Sequence, residues 1–241
     1  MTRKSTEHEH DETPQSWEML FRRASADLGL SPTERQVKRF ALYRDELITW
    51  NAKMSLISLK TPLDLPVKHF ADALTVLPIV AGAPARSHRL LDAGTGAGFP
   101  GIPLAIMSES LEVTLVESSR KKASFLKQAA RLLELEKATV IHDRIEGIMD
   151  KQSTRASYDF VVSRAAFKTA QLVGIADHFL KPGGVLIAMK GTPPDQEIED
   201  ALAAAARFDM EDAGRRVLQL PFGSGTRCLV LFRKKVRRRQ P

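Results

Sequence analysis

Cysteine is almost missing from this chain of 241 residues: Cys228 stands alone, which excludes an intrachain disulfide framework and any cysteine-rich zinc site. No stretch approaches the ~18 consecutive apolar residues of a membrane-crossing helix. The charged segment Met1 to Pro14 has no apolar centre and is not a signal peptide. The six histidines are scattered, with His8 and His10 in a polar terminus, so no metal site is expected. Aromatic residues are scarce at 6%, yet the hydrophobic fraction of 43% supports a core for one large domain with a smaller helical attachment. These absences together lead to the expectation of a soluble cytoplasmic protein without membrane contact.

Net positive charge is also missing from most of the chain. Residues 1–85 hold 11 basic and 11 acidic side chains and residues 86–226 hold 18 of each, so the net charge of +7 lies wholly between Arg227 and Pro241. Its densest part is Arg233-Lys234-Lys235-Val236-Arg237-Arg238-Arg239. Such a run suits nucleic-acid phosphates, and without aromatic residues it would add affinity rather than base choice. A solubilising tail is the equally weighted alternative.

What is present is concentrated in one stretch, Leu90-Leu91-Asp92-Ala93-Gly94-Thr95-Gly96-Ala97-Gly98-Phe99-Pro100-Gly101-Ile102-Pro103, which reads as strand, tight turn and helix. Gly94, Gly96 and Gly98 permit positive φ and leave room for a ligand. The turn also offers free N–H groups at a helix start. Downstream, Thr114-Leu115-Val116-Glu117 ends an apolar strand in an acid, the position from which a carboxylate accepts both ribose hydroxyls. No Gly-Lys-Ser/Thr follows the glycines, which excludes a phosphate-cradling loop. A dinucleotide and S-adenosylmethionine remain; the Gly-x-Gly-x-Gly spacing favours the methyl donor. Asp92 would face its ammonium group or order the turn.

The surrounding pattern supports a division into a loose terminus over 1–13, a helical region over 14–85, a main domain over 86–235 and a basic tail over 236–241. Trp17, Leu20, Phe21, Ala24 and Leu28 recur at helical spacing, with Gly29 as the stop. Ser31-Pro32-Thr33-Glu34 predicts a second helix capped by Ser31, with Val37, Phe40, Ala41, Arg44, Leu47 and Ile48 on one face. A third helix runs from Val67 to Leu77 and carries His69 and Asp72 on a shared face; residues 81–85 read as a linker. Strands are predicted near 89–93, 112–117, 138–142, 158–162, 184–190, 216–221 and 227–233, with helices over 102–108, 119–134, 168–180 and 193–206. This alternation predicts an α/β fold with a mainly parallel seven-stranded sheet covered on both faces. Phe222-Gly223-Ser224-Gly225 spaces the last two strands as an antiparallel hairpin, an ending associated by analogy with methyltransferases.

Ligands of such sheets gather beyond the carboxyl ends of the strands. That places Gly94 to Phe99, Glu117, Asp143 to Glu146, Ser163-Arg164-Ala165 and Lys190 around one pocket. Asp143 or Glu146 would receive an adenine amino group, the Ile145 amide a ring nitrogen, and Phe99 and Ile145 would flank the ring. Arg164 suits a carboxylate or phosphate held bidentately, Lys190 a phosphate as a point charge; Arg144 and Arg227 are further phosphate candidates, each balanced against a surface salt bridge. No Asn/Asp-Pro-Pro-Tyr/Phe segment follows the fourth strand, so methylation of an exocyclic amine is disfavoured. No second cysteine supports attack on a pyrimidine carbon. A nitrogen with a free lone pair, such as guanine N7, fits the absence of a general base, since it needs only alignment, which Arg164 would assist, and exclusion of water.

These residues resemble the bacterial 16S ribosomal RNA guanine-N7 methyltransferases, also called the glucose-inhibited division protein B family. The resemblance rests on Asp92 to Pro103 with its Phe-Pro-Gly-Ile-Pro extension, on Lys121-Lys122 with Phe125-Leu126, and on Arg144-Ile145-Glu146, Ser163-Arg164-Ala165, Lys190-Gly191, Trp50-Asn51 and His69-x-x-Asp72. It implies a class I, Rossmann-like fold using S-adenosyl-L-methionine to methylate guanine 527 in the 530 loop of 16S rRNA, within the 30S subunit or an assembly intermediate and without an obligate protein partner. The family's cofactor contacts map onto Gly94, Phe99, Ile145, Glu146 and Arg164, and its loop after the second strand onto Glu117-Ser118. The chain departs from the family pattern at Ser55-Leu56-Ile57, Lys68-His69 and Asp72-Ala73. Methylation of another RNA site or a small anionic molecule, a non-catalytic RNA-binding assembly role and, less favoured for want of a Tyr-x-x-x-Lys set, NAD-dependent oxidation are the alternatives.

Overall fold

The computed structural model describes residues 14–61, 64–82 and 87–236. The expected loose terminus over 1–13, part of the linker over 81–85 and the basic tail beyond Val236 lie outside the described residues.

Helix α1 (Pro14–Asp27) stops as expected: Gly29 takes φ +72°, and the amides of Gly29 and Leu30 donate back to the carbonyls of Ala26 and Ser25. Helix α2 (Glu34–Met54) is capped by Thr33 rather than Ser31. Thr33 Oγ1 accepts the Gln36 amide while the Gln36 side chain accepts the Thr33 amide at 2.8 Å, a reciprocal box that satisfies both groups. Glu34, expected in that box, instead accepts two hydrogen bonds from Arg22 of α1, each 2.8 Å. The buried stripe of α2 is Val37, Phe40, Tyr43 and Leu47; Ile48 is exposed, and Arg44 lies over the Trp17 ring.

The third predicted helix is broken. A π-helix over Asp64–Ala71 leads into the short α3 (Asp72–Leu74) and α4 (Leu77–Ala81). Asp64 organises its start, accepting the amides of Lys60 and Thr61, the Thr61 hydroxyl and the Lys68 ammonium. The break after Leu74 has two local causes. Thr75 Oγ1 donates to the Asp72 carbonyl at 2.6 Å, and Pro78 brings no amide to continue the ladder.

The main domain follows as β1 (His88–Ala93), α5 (Gly101–Met107), β2 (Leu111–Glu117), α6 (Arg120–Leu132), β3 (Ala138–His142), α7 (Ile145–Met149), β4 (Tyr158–Arg164), α8 (Thr169–Phe179), β5 (Leu180–Lys190), α9 (Asp195–Arg207), β6 (Met210–Gln219) and β7 (Thr226–Lys234). The sheet order is β3-β2-β1-β4-β5-β7-β6. Its first five strands pair in parallel, and β7 runs antiparallel to both β5 and β6, as expected. β6 starts at Met210, not near 216. After the buried Met210 its early residues are mostly polar and exposed and pair only with β7, so they carry no apolar alternation, and the register shifts between Asp212 and Arg215, where Gly214 takes φ +88°. α7 was not predicted; Ile145 and Ile148 bury one turn of what reads as a loop.

One face of the sheet is covered by α5, α6 and the N-terminal helices in a single aromatic core. Its ring centroids lie close: Phe21–Phe40 4.5 Å, Phe40–Phe70 5.0 Å, Tyr43–Phe99 5.6 Å and Trp50–Phe125 5.7 Å. Residues of α7, α8 and α9 form the second core on the other face. The helical region therefore packs against the loop that follows β1.

Candidate functional site

The three glycines after β1 all take positive φ, +68° at Gly94, +62° at Gly96 and +97° at Gly98, but for different spatial reasons. A Cβ on Gly94 would lie 2.6 Å from the Ala166 Cβ, and one on Gly98 2.5 Å from Ile102 Cδ1 and 2.7 Å from the Tyr43 hydroxyl. A Cβ on Gly96 would meet no atom within 4 Å. Two glycines thus admit neighbouring protein, and the middle one borders open space.

Acids brace this loop from both sides. Asp92, fully buried, accepts the Thr95 hydroxyl at 2.6 Å and the Gly101 amide at 2.8 Å through Oδ2, so it orders the turn; Oδ1 has no partner within the protein. Burial pushes its pKa up to about 6, against those two hydrogen bonds. Glu117, at the end of β2, accepts the Gly96 amide at 3.0 Å and the Ser119 amide at 2.8 Å, one on each carboxylate oxygen. Each oxygen retains a further lone pair for a hydroxyl donor. Ser118 is exposed beside it, and His142 Nε2 lies 3.2 Å from the Ser118 carbonyl. On the adjoining β3 end, Ile145 is buried, Glu146 and Arg144 are exposed, and Asp143 accepts the Arg144 amide and lies 3.8 Å from the Lys151 ammonium. These residues line one side of the candidate site, at the carboxyl ends of β2 and β3.

A second group gathers around Asp72, whose side chain is fully buried. Its carboxylate accepts two hydrogen bonds from Arg227, at 2.5 and 2.7 Å, and one from Arg164 at 3.2 Å. Arg164 also donates to the Lys68 carbonyl at 3.4 Å and lies over the Phe99 ring at 4.6 Å. Its contact with His69 Nδ1 at 3.2 Å defines a tautomer. A guanidinium only donates, so Nδ1 accepts, and Nε2 carries the proton toward the Ser58 carbonyl at 3.3 Å. Burial, reinforced by Arg164, lowers the His69 pKa to about 4, so the ring is neutral at pH 7. His69 and Asp72 share a face, as the spacing predicts, and Arg164 joins them.

Two predicted roles meet different surroundings. Phe99 is only 2% exposed, packed by Tyr43, Phe70 and His69 and covered by Arg164. Lys190 donates to the Phe167 carbonyl at 2.9 Å and pairs with Glu197 at 2.7 Å, so its charge is already matched within the fold. Tyr43 was missed: its hydroxyl donates to the Ala97 carbonyl at 2.5 Å, tying α2 to the glycine loop. The spacing Phe40, Tyr43, Leu47 is the signal that identifies it as inward-facing. Two open clefts of about 620 and 520 Å³ lie at the opposite end of the strands, beside Leu135 and Gly183 respectively, and neither is lined by a residue of this site.

The family model described as GidB, rRNA small subunit methyltransferase G, matches residues 36–219. A protein of Syntrophus aciditrophicus named ribosomal RNA small subunit methyltransferase G is 38% identical over 226 residues, covering 93% of this chain and 92% of its own length. One of the same name from Desulfitobacterium hafniense is 34% identical over 221 residues, covering 92% and 90%. Among solved structures, M. jannaschii TYW2 in complex with AdoMet superposes with a TM-score of 0.53 at 17% identity, over 68% of this chain and 77% of that one, a likeness of fold.

Proposed function

This chain belongs to the rRNA small subunit methyltransferase G family, and from that premise we propose that it transfers a methyl group from S-adenosylmethionine to N7 of guanine 527 in 16S rRNA, within the 30S subunit or an assembly intermediate. The observation that carries the cofactor side of this reading is the open space at Gly96, bordered by Glu117 with free acceptor capacity on both oxygens. No helix among the described residues is long and apolar enough to cross a membrane, in keeping with an rRNA substrate in the cytoplasm.

When bound, S-adenosylmethionine supplies an electrophilic methyl group on a sulfonium. The donor set suits it. Glu117 would take the ribose hydroxyls and the backbone at Gly96 would approach the cofactor, while Gly94 and Gly98 let the turn close against Ala166 and Ile102. Ser118, Ile145 and Glu146 border the adenine end, and the unpartnered Oδ1 of Asp92 is a further acceptor behind the loop. Guanine N7 presents a lone pair and no proton, so no residue has to act as a base. His69, held neutral, and Asp72, saturated by arginines, fit that requirement. Two guanidiniums on one carboxylate leave a net positive charge at the end of β4, where Arg164 and Arg227 can meet an anionic backbone while Arg164 is held rigid for alignment. Arg144 extends this charge from the end of β3, whereas Lys190 acts through its pairing with Glu197.

The test is transfer of labelled methyl from S-adenosylmethionine to 30S subunits from cells lacking the modification, followed by nuclease mapping. Label at N7 of guanine 527 is expected. Label at another base moves the substrate elsewhere in RNA, label on a small anionic acceptor alone removes RNA, and a chain that does not bind the methyl donor removes the enzyme reading.

A further inference from the structure

Helix α6 has an unusual charge distribution for a surface helix. Its 13 residues, Arg120-Lys121-Lys122-Ala123-Ser124-Phe125-Leu126-Lys127-Gln128-Ala129-Ala130-Arg131-Leu132, include five cations and no acid. Ala123, Phe125, Leu126 and Ala129 face the core. At about 100° per residue, Arg120, Lys127 and Arg131 fall within roughly 40° of one another on the opposite side, and at about 1.5 Å per residue they are spread over ~16 Å. All three are exposed.

No ion pair among the described residues neutralises this stripe or any other α6 cation, and Arg131 reaches only the neutral Gln128 amide at 3.0 Å. Elsewhere on the surface some cations are matched, Arg22 by Glu18 and Glu34, Arg35 by Glu109 and Lys181 by Asp159, while others among the described residues, such as Lys38, Arg155 and Arg207, are not; what sets α6 apart is three unmatched cations aligned on one helix face. Within the stripe only Arg131, in the last turn, is favoured by the helix dipole. Arg120, Lys121 and Lys122 occupy the first turn, where the helix dipole disfavours positive charge, and no acid is present there. In the free protein these first-turn cations are held by water alone, and an external anion would offset the unfavourable dipole.

The position of α6 indicates which anion. Ser119 caps the helix two residues after Glu117, so its basic first turn opens at the mouth of the site and the stripe runs away from it along the molecule. Arg144, exposed at the end of neighbouring β3, lies at the same end of the sheet. We infer that the exposed face of α6 binds the phosphodiester backbone of the RNA whose base enters the site. This rests on the rRNA methyltransferase reading above. With no exposed aromatic residue on this face, it contributes affinity and register but no base choice.

The test uses the full-length triple variant R120Q/K127Q/R131Q and, as a control with the same loss of charge, K38Q/R155Q/R207Q, all exposed positions outside the stripe. Binding to unmodified 30S subunits and to protein-free 16S rRNA is measured across a salt series, with methyl transfer kinetics and S-adenosylmethionine affinity alongside. Losing three phosphate contacts is expected to reduce the log–log salt slope by about 2 to 3 on both RNAs and to raise KM about 10-fold or more. Cofactor affinity should match that of the unaltered chain, as should the control variant's slope. An unchanged slope and KM, or an equal change in the control, overturns the assignment. Weakened binding to subunits with unchanged binding to free RNA also overturns it, in favour of an acidic protein surface. If the unaltered chain itself fails to methylate the subunits, the proposed function fails instead.

Discussion

Asp72 is the residue on which the second half of the site depends. Its fully buried carboxylate holds Arg227 and Arg164, so removing it leaves two partly buried guanidiniums without a counter-charge. Asp72→Ala is expected to lower stability by roughly 3–5 kcal/mol, the scale for breaking a buried pair from one side; an unchanged urea midpoint would show that the cluster is not held this way. His69 and Asp92 impose opposite pH dependences. The His69 pKa falls from 6.5 to about 4 on folding, so its contribution to stability is present above pH 6.5 and is lost as pH falls toward 4. The Asp92 pKa rises from 3.8 to about 6, so its contribution is present below pH 3.8 and lost as pH rises toward 6. Stability–pH curves of His69→Gln and Asp92→Asn should each lose the corresponding slope, in opposite directions. The spacing His69-x-x-Asp72 was legible as a shared face. Its partner Arg164 lies 92 residues from Asp72 and Arg227 lies 155 away, and no local pattern encodes which arginine fills a buried carboxylate.

Among the elements, the β1–α5 turn gives the sharpest contrast. Gly96→Ala meets no neighbour, so it should cost only about 1–2 kcal/mol of left-handed strain while lowering S-adenosylmethionine affinity markedly, because its Cβ projects into the open space. Gly98→Ala adds contacts of 2.5 Å with Ile102 and 2.7 Å with Tyr43 to the same strain and should destabilise the whole fold further. Thermal denaturation paired with cofactor titration separates the two; equal melting temperatures would refute the difference. This turn was readable because glycine spacing is a direct consequence of backbone conformation. The third helix was less so. Its apolar period continues through Leu77, but Asp64, Thr75 and Pro78 redirect the backbone hydrogen bonds, which a hydrophobic pattern does not register. β6 escaped for the complementary reason: its first half is held by ladder bonds to β7, with few buried side chains.

At the scale of the molecule, the helical region and the sheet share one aromatic core, so they are expected to unfold together. Both tryptophans, Trp17 and Trp50, lie in α1 and α2, whereas far-ultraviolet circular dichroism reports every element. The two signals should give coincident denaturation midpoints; an earlier fluorescence transition would mean that the N-terminal helices open separately. Tyr43 links the same two parts through one hydroxyl. Tyr43→Phe leaves the Ala97 carbonyl without its donor and should cost about 1–3 kcal/mol. It should also weaken cofactor binding and speed amide exchange over residues 94–101; an unchanged exchange rate there would deny the coupling.

The chain's sequence alone determined the α/β order of elements, the antiparallel ending, the glycine turn with its distal acid, and the family, because each is written in local spacing and residue type. Tertiary structure decided what each candidate touches: Phe99 enclosed beneath Arg164, Lys190 matched by Glu197, Asp72 shared by two arginines, and Gly96 left as the one glycine of the three that borders open space. Those outcomes depend on burial and on partners distant in the chain, which exist only once the helices have packed on the sheet.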